Sequence, residues 1–276
     1  MRLPKPPAWS KPLAATALLA ALTLAACATR PPASDPEALA EFREANDPAE
    51  PLNRTLYSVH DAIDRNVLRP VAVGYREVVP GQVRLGIRNV LGNLRSPVIL
   101  LNDMLQGEPR RAGDTLGRFV INSTAGVAGI FDEAQDHFGV RGHSEDFGQT
   151  LATWGVGEGP YIFVPVLGPS NPRDLTGFGV DIAANPFTWI GQGAVVDALA
   201  YSRAGATVVD TRESLIEALD DVNRTSLDPY ATIRSAYRQR RNAEIGNRLN
   251  PAAPDAAGGT GFGIGSGLGT EPVAPR

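Results

Sequence analysis

Apolar positions through the middle of the chain recur at helical spacing and are punctuated by glycine and proline. Leu52, Leu56, Val59, Ile63 and Val67 follow one another along one helical face. They come after Asp47-Pro48-Ala49-Glu50, where an N-cap residue, a proline at the first helical position and a glutamate at the third predict a helix start. Pro70 predicts its end. Val83, Ile87, Val90, Leu91 and Leu94 form a second stripe, with Arg84, Arg88 and Arg95 on another face. Ser96-Pro97 then opens a short run from Val98 to Leu105 that is apolar around most of its circumference and stops near Gly107. Ten helical residues rise only about 15 Å, half of a hydrocarbon core near 30 Å. Such a helix fits one leaflet or a buried core, and Trp189-Ile190 poses the same choice.

Farther along, Gly155-Val156-Gly157-Glu158-Gly159-Pro160 leads through Tyr161 and Pro165 to Gly168-Pro169-Ser170-Asn171-Pro172. The density of proline excludes a long helix and a central strand. The expectation is a rigid, extended, partly apolar loop beside a cavity. A long helical stretch from about Gly193 to Val222, with a possible break at Gly205, precedes a last helix capped by Asp228-Pro229. There Tyr230, Ile233 and Tyr237 share a face, and Arg234, Arg238, Arg240 and Arg241 form a basic cluster, read first as a solvated face and second as a site for anionic headgroups. The fold class expected is all-α, a single helical domain over 46–248.

The ends of the chain read differently. Residues 1–26 combine a basic start at Arg2, Lys5 and Lys11, an apolar run from Leu13 to Ala26 and small residues before Cys27, a pattern expected of a cleaved secretory signal rather than a membrane span. Leu24-Ala25-Ala26-Cys27 resembles a bacterial lipobox, so Cys27, the single cysteine, is the expected site of a covalent diacylglycerol and an N-acyl chain. Several acyl chains hold a protein stably on a membrane, and Ala28 after the cysteine matches sorting to the outer membrane. Residues 27–45 are Pro-, Ala- and Glu-rich and are expected to tether lipid to fold; 249–276 read as a disordered Gly/Pro/Ala-rich tail despite their Gly-alternating run.

Charge and candidate chemistry narrow the function. The chain carries a net charge of −4, and loss of the signal would remove three basic residues and no acidic one, a poor balance for nucleic-acid binding. His60 lies beside Asp61 and Asp64 with no second histidine at metal-ligand spacing. His137 and His143 fall in an apparent loop with Asp136, Glu145 and Asp146, where a solvated loop is the simpler account than a metal. The Gly-flanked Ser266 lies in the tail, away from any strand-to-helix elbow, and Glu145-Asp146 are adjacent residues that cannot flank one glycosidic bond. No catalytic or metal site is expected, and no cofactor beyond the lipid on Cys27.

Several spaced strings resemble the MlaA (VacJ) lipoprotein family: Asn46-Asp47-Pro48-Ala49-Glu50 with Asn53-Arg54, Leu68-Arg69-Pro70-Val71-Ala72, Leu105-Gln106-Gly107 and Arg118-Phe119. The longest run is Glu145-Asp146-Phe147-Gly148-Gln149-Thr150-Leu151 with Trp154 to Tyr161, followed by Gly168-Pro169-Ser170, Arg173-Asp174 and Asp228-Pro229-Tyr230. Val90-Leu91 and Ala152 depart from the expected pattern conservatively. The resemblance implies a ring-like helical body in the inner leaflet of the outer membrane, anchored on its periplasmic face. Its amphipathic channel would remove phospholipids from the outer leaflet and pass them to a periplasmic phospholipid carrier (MlaC-like), with trimeric porins as partners. Within it, Gly155, Gly157, Gly159, Pro160, Tyr161 and Pro165 are the candidate channel or gate, and Arg118 and Arg173 candidate headgroup or structural ion-pair residues. A non-transporting envelope scaffold lipoprotein is the alternative.

Overall fold

The structure is a computed structural model of the chain. It describes residues 45–189 and 194–247 with a few positions between 34 and 42, and only the backbone at 194–196. Cys27, Ile190, residues 1–26 read as a signal and residues 249–276 read as a tail lie outside the described residues. Helical hydrogen bonding begins inside the stretch read as a tether: the Leu39 N–H donates to the Asp35 carbonyl at 3.1 Å, and Ala45 is helical.

The order is α1 (Glu50–Ile63), a π segment (Asp64–Leu68), α2 (Arg69–Val78), α3 (Gly81–Asn93), α4 (Ser96–Leu105), α5 (Pro109–Thr124), α6 (Glu133–Asp136) and α7 (Phe147–Thr153). A hairpin of β1 (Ile162–Val164) and β2 (Gly168–Ser170) follows, then α8 (Pro172–Ala184), a 3-10 turn (Pro186–Thr188), α9 (Ala194–Ser214), α10 (Ile216–Thr225) and α11 (Pro229–Ile245). The class is all-α, as the periodicity indicates. The helices form a ring: α1, α3, α4, α8, α9, α10, α11 and the hairpin all contribute to the wall of one central cavity.

Several local outcomes differ from the sequence pattern for physical reasons. Asp47 does not cap α1, whose N-cap is Ala49 without a side-chain bond. Its buried carboxylate instead accepts from Asn53 Nδ2 at 2.7 Å, from the Tyr230 hydroxyl and from Arg234 at 2.8 Å, joining α1 to α11. The helix does not stop at Pro70. In the π segment the Arg69 N–H reaches back five residues to the Asp64 carbonyl, and Pro70 then occupies the first turn of α2, where its missing N–H costs no bond. The proline-rich stretch is a hairpin rather than a loop, with Phe163 opposite Pro169. Each strand of a two-stranded ribbon is an edge, so a proline there is tolerated. Gly205 leaves α9 unbroken, and the chain turns instead at Leu215.

The core is aromatic and local. Tyr161, Phe163, Val222, Tyr230, Ile233 and Tyr237 pack together with Leu56, Tyr57 and Leu219 against them. Tyr57 meets Phe163 edge-on at 5.4 Å and Tyr230 at 5.7 Å, so α1, the hairpin and α11 share one interior.

Elsewhere backbone packs directly on backbone. A Cβ placed on Gly177 of α8 would lie 2.2 Å from the Gly148 nitrogen and 2.7 Å from its Cα on α7. Only glycine permits this crossing, so Gly177→Ala is expected to destabilise the protein by about 1–3 kcal/mol, the range for overpacked cores. Thermal unfolding of the variant beside the wild type checks it, and an unchanged transition would mean that the two helices separate at no cost.

Candidate functional site

The central cavity has a volume of about 440 Å³. Its apolar wall includes Leu91, Leu94, Val98, Phe163, Phe178 and Ile182. Its charged wall contains Arg88, Arg95, Arg203, Arg212 and Arg241 and the carboxylates of Asp146, Asp174, Asp181 and Asp210. A cavity with both surfaces in one volume suits a molecule with a charged end and a hydrocarbon end.

Most of these charges are tied into the ring. Arg212 on α9 donates to Asp64 in the π segment at 2.5 and 2.8 Å, and both groups are buried. Arg88 pairs with Asp210 at 3.1 Å and Glu213 at 3.2 Å, and Arg84 also bonds Glu213. The basic face of α3 is therefore bound to α9. Arg241 donates through both terminal nitrogens to Asp146 at 2.6 and 2.7 Å and through Nε to Asp174 at 2.8 Å. Asp146 caps α7 and Asp174 lies in the first turn of α8, so one guanidinium clamps three helices. Burial alone would raise the Asp146 carboxyl, but the Arg241 charge and its hydrogen bonds overcome this and hold it at about 2.

Arg95 and Arg203 line the same cavity. Burial pulls the Arg95 guanidinium below the usual range, with Asp146, Asp181 and Glu244 opposing and the Arg203 charge reinforcing that shift. Asp181, on α8, accepts from Asn102 at 3.0 Å and from the Phe147 N–H at 3.1 Å. Burial raises its carboxyl to about 6 against those bonds. The cavity lining thus brings together two arginines and a carboxyl that burial holds above the usual range.

The sequence-predicted residues are placed as follows. Gly155, Gly157, Gly159 and Pro160 lie on the exterior and are not among the cavity-lining residues. Tyr161 is buried in the aromatic core, its N–H donating to the Asn46 carbonyl at 2.8 Å. Pro165 begins the hairpin turn, and the residues that reach the cavity are its neighbours Phe163, Val166, Leu167, Gly168 and Pro169. Arg118 bonds Asp132 at 2.8 Å and the Val140 carbonyl, bordering a second small polar cavity of about 50 Å³. Arg173 is buried against Asp174 at 3.0 Å and does not line the central cavity.

Two further expectations are corrected. The α11 arginines are not a solvated face: Arg234 pairs with Asp47, Arg238 with Glu158 at 2.9 Å, Arg240 with Glu244 at 2.7 Å, and Arg241 is buried. Nor is the segment holding His143, Glu145 and Asp146 a solvated loop, since Glu145 is 1% exposed and bonded to Arg111 and Gln106, and His143 lies 2.8 Å from buried Asp103. Arg95 and Arg203 were missed as site residues, since neither carries a motif. Arg88 lies on α3 and Arg95 just beyond its end, at the N-cap of α4, seven residues on.

The outer surface is also unusual. Val78, Leu116, Val120, Phe131, Phe138, Met104, Trp154, Trp189 and Leu199 are exposed, Trp189 by 72%, while Asp47, Asn53, Asp103, Glu145 and Asp174 are buried. Water-exposed domains normally reverse this arrangement. Among the described residues no helix is long and apolar enough to cross a membrane.

A ring of helices that presents apolar side chains outward and encloses a charged and apolar cavity defines a membrane-associated class with an interior suited to an amphipathic ligand. The chain belongs to the MlaA lipoprotein family, whose pattern matches residues 45–244. It is 35% identical over 234 residues to the intermembrane phospholipid transport system lipoprotein MlaA of Haemophilus influenzae, covering 83% of this chain and 89% of the relative. The Escherichia coli K12 protein of the same name is 34% identical over 210 residues, 75% of this chain and 81% of that one. A solved structure bearing on maintenance of bacterial outer membrane lipid asymmetry superposes with a TM-score of 0.61 at 32% identity, covering 72% of this chain and 98% of that chain.

Proposed function

We propose that this protein removes phospholipids from the outer leaflet of the outer membrane through its central cavity and passes them to a periplasmic carrier, acting as a lipid-anchored passage and not as an enzyme. The observation that carries the reading is the cavity itself, whose lining combines Arg95 and Arg203 with apolar residues of α3, α4 and α8. A phosphate would take the arginines and the acyl chains the apolar side. The outward apolar faces support burial in one leaflet: Met104 at the end of the ten-residue α4 is 56% exposed, while Val98 and Ile99 at its start are buried. The names of the relatives supply the transport system, and Cys27 the expected anchor. Trimeric porins would hold a body of half-bilayer thickness at its depth.

Arg203→Glu places a carboxylate where the phosphate would sit. Surface-exposed phospholipid should rise toward the level of a deletion strain, at equal protein abundance, with Arg203→Lys close to wild type. Wild-type asymmetry in the Glu variant would remove the phosphate role of this arginine.

A further inference from the structure

We infer that His60 is a pH-sensitive latch on the hairpin turn that lines the central cavity. The β1–β2 turn passes through Val166 at φ 71°, a left-handed conformation that a β-branched residue rarely adopts and that the surroundings must hold in place. One bond does this from outside the hairpin: the Val166 N–H donates to His60 Nδ1 at 3.0 Å. Both residues line the cavity, together with Leu167, Gly168 and Pro169 of the same turn. The His60 ring is fixed by the edge of Phe163 at 5.4 Å, so histidine, turn and strand form one assembly.

The bond fixes the protonation state. Nδ1 can accept only when it carries no proton, so the latched ring is neutral with its hydrogen on Nε2. Protonation puts a hydrogen on Nδ1 facing the Val166 N–H, two donors meet, and a strained turn loses its restraint. The charged groups around the ring are Asp61 on α1, Asp64 in the π segment and Arg212 on α9, the last two already bonded to one another. From β1 the uncharged Phe163 ring packs against it. Burial lowers the imidazole pKa, with Asp64 and Asp61 opposing and Arg212 reinforcing. The neutral, latched state is therefore fully favoured above the ordinary imidazole range and is lost as pH falls below it.

The latch stands on this geometry. That its release changes what the cavity passes rests on the phospholipid reading above, so the test uses full-length protein in detergent without lipid substrate. Amide hydrogen exchange, corrected for intrinsic rates, is compared at about pH 7.5 and about pH 5. Protection at Val166 should fall about tenfold on acidification in the wild type, as loss of one hydrogen bond implies. His60→Gln, whose amide oxygen accepts at either pH, should remove the pH dependence, and His60→Leu should lack the protection throughout. Amides of α11 near Tyr237 should hold steady and so separate local release from unfolding. Equal protection at both pH values in the wild type, or a wild-type profile in the Leu variant, overturns the latch.

Discussion

Arg241→Met is expected to lower stability by about 3–5 kcal/mol, because it leaves the buried Asp146 carboxylate without its cation and Asp174 with Arg173 alone. Asp146 and Asp174 are 7% and 4% exposed; Asp146 is paired with that guanidinium, and Asp174 shares it with Arg173 and the Tyr237 hydroxyl. Methionine restores most of the volume, so the loss is electrostatic rather than a cavity effect. Gly148 belongs to the same clamp: a Cβ there would stand 2.6 Å from Arg241 Nη2 and 2.7 Å from Asp174 Oδ1, so Gly148→Ala should mimic the defect in milder form. The Asp146 carboxyl, at about 2 against an ordinary value of 3.8, binds its proton less readily when folded. Its contribution is present above the unfolded value and lost as pH falls through the folded one. Chemical unfolding at neutral and acidic pH should show the wild type converging toward Arg241→Met only near that lower limit. A variant as stable as wild type at neutral pH would show that α7, α8 and α11 are held by something other than this clamp.

Ala204→Trp should abolish lipid passage while leaving the protein folded. Ala204 lies on the face of α9 that meets the cavity, beside Arg203 and one turn from Ala200, and it is exposed there rather than packed on another helix. An indole at that point extends into a space of about 440 Å³ without displacing a neighbour. Cells with Ala204→Trp should accumulate surface phospholipid as a deletion strain does, at unchanged abundance and membrane attachment. Ser202→Trp, exposed on the same helix but not part of the cavity wall, should behave as wild type. If both substitutions are silent, the cavity is not the route. If both fail, α9 matters for a reason other than the space it borders.

Helices could be read from the sequence wherever the apolar period was clean. Tyr230, Ile233 and Tyr237 share a face in the sequence and a core in the structure, and Asp228 caps their helix through the Ala231 N–H at 3.1 Å. Local rules gave way where a side chain had a distant use. Asp47 reads as a cap because Pro48 and Glu50 follow it, but its partners Tyr230 and Arg234 are more than 180 positions away. Proline density around Pro165 and Pro169 correctly excluded a long helix, yet could not show that two three-residue strands would pair across Val166. The site was less legible than the fold. Glycines at 155, 157 and 159 signal a turn, and they deliver Phe163 and Val166 to the cavity without entering it. Arg234, Arg238 and Arg241 looked solvated because their carboxylates Asp47, Asp146, Glu158 and Asp174 come from four separate segments, whereas Arg240 pairs with Glu244 of its own helix.

The central claim is that a phospholipid occupies the ring's interior. It is tested most directly by irradiating cells fed a phospholipid with a photoactivatable acyl chain and mapping the cross-linked peptides. Adducts within Leu91–Val98, at Phe178 or Ile182, and on the Ala200–Val208 face of α9, all reduced by Ala204→Trp, are the predicted result. Adducts confined to outward positions such as Leu116, Val120 and Trp189, unchanged by that substitution, would contradict it and leave a protein that touches lipid only from outside.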